Sequence, residues 1–156
     1  MSADPEAIID PDSYDALLTH ATEGAPQEVC GVLGGVRDGD TYWIDCVIRT
    51  TNAAATPRDR YLLDPADQLA AMERIEDSGR CVVGFYHSHP TGSATPSPVD
   101  RRDATWPDAL YVIVAPNADP SVRAWRWEHD SDSFRSVTVH TASIDGDANS
   151  GMGPST

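Results

Sequence analysis

A chain of 156 residues offers one domain, long enough to bury a sizeable core and too short for a second. Its formal net charge is −14: all eleven cations are arginine, lysine is absent, and aspartate far outnumbers glutamate. That balance excludes a nucleic-acid binder, which needs basic patches for phosphate. The even spread of acid from Asp4 to Asp147 favours a surface adapted to concentrated salt over a single acidic docking face.

Residues 1–10 read as a polar lead-in without the basic start and apolar run of a secretory signal. Asp12 or Ser13 is a candidate cap for a helix to about Glu23, where Tyr14, Leu17, Leu18 and Ala21 recur at helical spacing and Gly24-Ala25-Pro26 stops it. Val29 to Val36 reads as a buried strand, and a turn at Arg37-Asp38-Gly39-Asp40 leads into a second strand, Thr41 to Thr50, so the pair is expected to form a hairpin. A polar loop follows from Thr51 to Asp59, with Tyr61-Leu62-Leu63 as a candidate short strand. Asp64 and Pro65 open a helix whose apolar positions Leu69, Met72 and Ile75 run to a stop at Ser78-Gly79.

Cys81 to Tyr86 is a short apolar run suited to a central strand covered on both faces. Beyond a loop rich in Gly, Pro and Ser come a helix from Ser97 to about Thr105 and a buried strand from Leu110 to Ala115. A closing pair, Val122–Glu128 and Phe134–His140, turns at His129-Asp130-Ser131-Asp132. From Ala142 the chain lacks periodicity and reads as a disordered tail. Strands interleaved with three helices make an α/β sheet domain over residues 11–141. No stretch approaches the ~20 apolar residues that span a bilayer, so the expected location is the cytoplasm, with no membrane partner. The three cysteines, Cys30, Cys46 and Cys81, are expected to be buried reduced thiols.

Most of the chemistry lies between His87 and Asp100. Two imidazoles two positions apart project to the same side of an extended backbone, and Asp100, eleven positions after His89, can return as a third ligand. Three protein ligands and one open position is the arrangement of catalytic zinc. A lone His-x-His is weak evidence, but this one sits where a buried strand runs into a loop, a common position for sites in α/β sheets. Ser97-Pro98-Val99-Asp100 is equally a helix start, with Ser as cap, Pro first and an acid third; the two roles are compatible. Glu28, taken alone, is a solvated loop acid, yet it stands at the lip of a strand expected to be buried, where a carboxylate could take a proton from a zinc-bound water.

The residues resemble the JAMM (MPN-plus) metalloprotease family. Glu28-Val29-Cys30-Gly31-Val32-Leu33-Gly34-Gly35 is similar to the strand bearing that family's catalytic acid. Gly84-Phe85-Tyr86-His87-Ser88-His89-Pro90 is similar to its His-x-His segment, and Pro96-Ser97-Pro98-Val99-Asp100 to its Ser-x-x-Asp, with seven residues between His89 and Ser97. The resemblance implies an MPN fold like that of cytidine deaminases, a curved mixed β-sheet flanked by helices. It implies one Zn²⁺ per chain held by His87, His89 and Asp100, with Glu28 as acid–base and Ser97 as oxyanion donor. It implies cleavage after the C-terminal Gly-Gly of ubiquitin-like modifiers, whose tail would add along a sheet edge; the Thr51–Tyr61 loop, with Pro57 inside it, is the candidate contact. The chain lacks room for the long insertions of eukaryotic relatives, so the expected type is a stand-alone, desampylase-like archaeal or prokaryotic member, monomeric or a small oligomer. Two alternatives stay open: a peptidase that processes a sulfur-carrier adduct, and a non-catalytic module that binds ubiquitin-like folds.

Overall fold

In a computed structural model that describes residues 4–144, seven strands and three helices follow one another as β1 (Glu6–Ile9), α1 (Pro11–Gly24), β2 (Cys30–Asp38), β3 (Thr41–Thr50), α2 (Pro65–Asp77), β4 (Cys81–Ser88), α3 (Pro98–Asp103), β5 (Leu110–Val114), β6 (Val122–Glu128) and β7 (Ser133–Thr141). The strands lie in the order β1-β3-β2-β4-β5-β6-β7. β1 runs parallel to both β3 and β7 and so closes the sheet on itself. β4 and β5 are also parallel, and the remaining neighbours are antiparallel. The expected hairpin is the β2–β3 pair, in register from Cys30↔Thr50 to Asp38↔Thr41 with one slip at Gly34/Gly35.

Side-chain alternation along the strands divides the apolar residues between two layers. Leu33, Tyr86 and Val112 face the layer that includes Leu17 and Ala21 of α1, together with Ile9 and Ile44. Their chain neighbours Val32, Phe85 and Tyr111 face the other layer, with Ala71 and Ile75 of α2 and Trp127. β4 and β5 lie at the middle of this arrangement, and all five residues of β5 are buried. Gly84 is required there because a Cβ would overlap the Leu110 carbonyl of the adjacent strand.

Several expectations need correction. Residues 6–9 are a strand and not a lead-in: Ala7 and Ile9 are fully buried, and the alternation is too short to stand out beside Asp4 and Pro5. α1 is capped by Asp10, whose Oδ1 accepts from Ser13 N at 2.8 Å, with Pro11 opening the helix ahead of Asp12 and Ser13. Tyr61-Leu62-Leu63 is not a strand; Asn52 and Leu63 form a single bridge. α3 ends at Asp103, earlier than expected. Only Cys30 is a buried thiol; Cys46 is half-buried and Cys81 exposed, because Cys81 opens β4 at the solvent end of the strand. Residues 145–156 of the expected tail lie outside the described residues. No described helix is long and apolar enough to cross a membrane.

Candidate metal centre and active site

The ladder between β2 and β4 assembles the centre. Cys30 pairs with His87, and Ser88 N donates to Val29 O at 3.0 Å, so the antiparallel register continued one step sets Glu28 opposite His89. Strand parity turns Glu28, His87 and His89 to the side of Val32 and Phe85, the α2 layer. Ser88 points the other way, and its Oγ accepts from Val29 N at 2.8 Å, locking the end of the ladder directly behind Glu28.

The third group arrives on α3. Ser97 and Asp100 form a reciprocal capping box: Asp100 N donates to Ser97 Oγ at 3.0 Å, and Ser97 N donates to Asp100 Oδ2 at 2.9 Å. The same Oδ2 lies 3.0 Å from His87 Nε2 and 3.0 Å from His89 Nε2, while the two nitrogens are 3.2 Å apart. Helix capping and ligand geometry therefore coexist at Asp100. Three atoms that all carry lone pairs converge on one point, an arrangement that needs a proton or a cation between them. Nitrogen and oxygen donors about 2.0–2.1 Å from a tetrahedral ion stand roughly 3.3 Å apart, so the donor set fits a small divalent cation such as zinc. Glu28 also brings an oxygen within 4.8 Å of both imidazole nitrogens. Asp100 is the nearer carboxylate, which leaves Glu28 beside the three-atom cluster. Its Oε1 is buried without a hydrogen-bond partner among the described residues.

The electrostatics separate these groups. Burial pushes the Glu28 carboxyl up to about 7, with His89 opposing the rise and Asp100 and Asp59 adding to it. Burial also holds the His87 imidazole below its ordinary value, against the pull of Asp100. His89 feels the same burial, but its hydrogen bonds to Asp100 and to Ser93 O outweigh it and raise its pKa. Burial would raise Asp100 too; the hydrogen bonds to His87, His89 and Ser97 win and hold it well below the usual carboxylate range. One carboxylate is thus poised near neutrality and the other kept ionised.

The Thr51–Tyr61 loop, singled out as a substrate contact, touches the centre itself. Pro57 O accepts from Glu28 N at 2.7 Å, and Asn52 Nδ2 donates to Glu28 O at 2.8 Å. Tyr61 lays its ring on His87, with centroids 4.1 Å apart and planes 16° from parallel. Thr51 sits further off, its N–H donating to Asp67 of α2. Sequence reasoning missed Asn52, which carries no signal in a polar loop. It also missed Ser93, whose carbonyl lies 2.9 Å from His89 Nδ1. Gly92 before it, at φ +91°, offered a clue to the turn.

Comparison with known proteins shows the family of this chain. Residues 10–128 match the family of prokaryotic homologs of the JAB domain. The chain is 41% identical over 132 residues to a desampylase of Haloferax volcanii, spanning 82% of this chain and 91% of that one. It is 37% identical over 130 residues to the CysO-cysteine peptidase of Mycobacterium tuberculosis, spanning 83% and 82%. A solution structure of a Desulfitobacterium hafniense protein aligns with a TM-score of 0.78 at 28% identity, over 88% of this chain and 94% of that one. The chain belongs to the prokaryotic JAB-domain family and is a hydrolase of that family, with the mixed α/β fold expected from its motifs.

Proposed function

We propose that this chain is a zinc-dependent isopeptidase that hydrolyses the bond after the C-terminal Gly-Gly of ubiquitin-like modifiers, releasing them from lysines of target proteins and splitting linear fusions. The observation that carries the reading is the cluster of His87 Nε2, His89 Nε2 and Asp100 Oδ2, with the unpartnered Glu28 Oε1 beside it. His87, His89 and Asp100 would hold one zinc, which when bound supplies a Lewis acid and a water of lowered pKa. Glu28 takes a proton from the attacking water and returns it to the departing amine. Burial, which favours the uncharged carboxyl, suits Glu28 to hold that proton between the two transfers. Ser97 Oγ accepts from Asp100 N and leaves its own O–H free to donate, which suits it to the oxyanion of the tetrahedral intermediate.

The sheet closes through β1, which pairs with β3 only at Thr41–Ile44, and the modifier tail needs a path that ends at the metal centre. Its place in this reading is a groove of about 420 Å³ lined by Arg60, Tyr61, Leu62, Phe85, Arg102 and Trp106, which reaches the metal centre at Tyr61. Two glycines at the end of such a tail let its backbone come close to the centre. The likeness to a desampylase supports an isopeptide substrate. The likeness to a CysO-cysteine peptidase supports a second reading, release of an amino acid from a sulfur-carrier adduct. A module that only binds would need neither the poised Glu28 nor the free Ser97 hydroxyl. The test is to offer the zinc-loaded protein an isopeptide-linked conjugate and a carrier–cysteine adduct side by side in molar salt. Faster cleavage of the conjugate supports the main reading, faster cleavage of the adduct the second, and cleavage of neither the binding module.

A further inference from the structure

The two imidazoles of the centre are oriented in different ways. His89 Nδ1 lies 2.9 Å from Ser93 O, the usual arrangement, in which the ring nitrogen not facing the ligand point donates to a carbonyl or carboxylate and fixes the ring. His87 Nδ1 is buried and has no such partner among the described residues. With its Nε2 aimed at the cluster, nothing on the far side of the ring sets its tilt by hydrogen bonding. What bears on it instead is Tyr61, stacked 4.1 Å away and nearly parallel. The segment carrying Tyr61 is itself fixed on either side of the ring. Asn52 Nδ2 donates to Arg60 O, and its Oδ1 accepts from Leu62 N, at 3.1 and 3.0 Å. Arg60 also pairs with Asp103, on the helix that delivers Asp100.

We propose that Tyr61 is a positioning residue for the metal centre, its ring face setting the plane of His87 in place of the missing hydrogen bond. A stacked π-face also favours an imidazole that becomes electron-poor when its other nitrogen binds a cation. The shape of the ring matters here and the hydroxyl does not. This role rests on the reading of His87 as a ligand.

The test is zinc affinity by chelator competition, with the absorption spectrum of the cobalt-substituted protein as a second readout, on Tyr61→Phe and Tyr61→Leu. Partners that orient a metal-bound histidine typically contribute 10- to 100-fold in affinity. Tyr61→Leu is expected to weaken zinc by about that factor and to alter the visible bands of bound cobalt. Tyr61→Phe is expected to bind zinc within about threefold of the wild type, far short of that factor, with an unchanged cobalt spectrum. If Leu is not tolerated, Tyr61→Met removes the flat ring with less loss of volume, and the same contrast with Phe applies. Wild-type affinity and spectrum in the ring-less variant would overturn the role, as would Phe behaving like Leu. A wild type that takes up no zinc would overturn the metal centre itself, a separate failure. None of these readouts requires a substrate.

Discussion

At the scale of single residues, the surroundings push the two buried carboxyl groups of the candidate centre in opposite directions. Against its own burial, Asp100 is held well below the usual carboxylate range by hydrogen bonds to His87, His89 and Ser97, whereas burial pushes Glu28 up to about 7 against the opposing charge of His89. Replacing the Ser97 hydroxyl tests the oxyanion assignment: Ser97→Ala is expected to lower kcat by about 10²–10³, as loss of one such donor does. The same change removes a helix cap worth about 1 kcal/mol. Ser97→Gly, which is tolerated at a helix cap and carries no side-chain donor, should recover most of the stability and not the rate; recovery of both would assign Ser97 to capping alone. His20 gives an independent pH test away from the centre. Its Nδ1 lies 2.7 Å from the Tyr86 hydroxyl, and burial, then the charge of Arg49, depress its pKa from 6.5 to about 4, against Glu23. Burial pushes the Tyr86 phenol up, so it keeps its proton and donates to a neutral imidazole. The unfolded chain takes up a proton below about 6.5 and the folded chain only near 4, so stability falls as pH drops through that window. His20→Gln should flatten that part of the curve, and urea midpoints for the two proteins from pH 7 to 4 would reveal it. A constant gap between them would contradict the assignment.

At the scale of elements, the sequence disclosed what alternates strongly and concealed what is short. β5 and the apolar half of β4 stand out because all or nearly all their residues are buried, and α2 because Asp64 and Pro65 mark its start. The spacing from His87 to Asp100 was legible, since parity and a capping motif carry it. β1 was not, because four residues give only two alternations, and its partners β3 and β7 lie far off in sequence. Closure of the sheet was hidden with it. The Thr51–Tyr61 loop attracted attention for a substrate, but its grip on Glu28 and His87 depends on a fold that no local pattern encodes. β1 supplies a direct test. Ile9 is fully buried between the sheet and α1, so Ile9→Ala is expected to destabilise by about 2–5 kcal/mol in urea melts. A loss under about 0.5 kcal/mol, the range of surface changes, would mean that β1 is peripheral.

At the scale of the whole molecule, the net charge of −14 sets the working conditions. Carboxylates spread over one small domain repel in dilute buffer and are screened in molar salt, where the Debye length is about 3 Å. The melting midpoint is therefore expected to fall as salt is lowered from molar to dilute, and an unchanged midpoint would count against salt adaptation. In the proposed reading the His87–His89–Asp100 cluster holds zinc and Glu28 moves the proton. Its most direct test is cleavage of an isopeptide-linked ubiquitin-like conjugate in molar salt by wild type and Glu28→Ala, with bound zinc counted in both. We expect about one zinc in each, following the three-ligand site, and a rate in Glu28→Ala lower by roughly 10²–10⁴, the usual range for a general acid–base. Equal turnover by the two proteins, or undiminished turnover by the wild type stripped of metal, would contradict it.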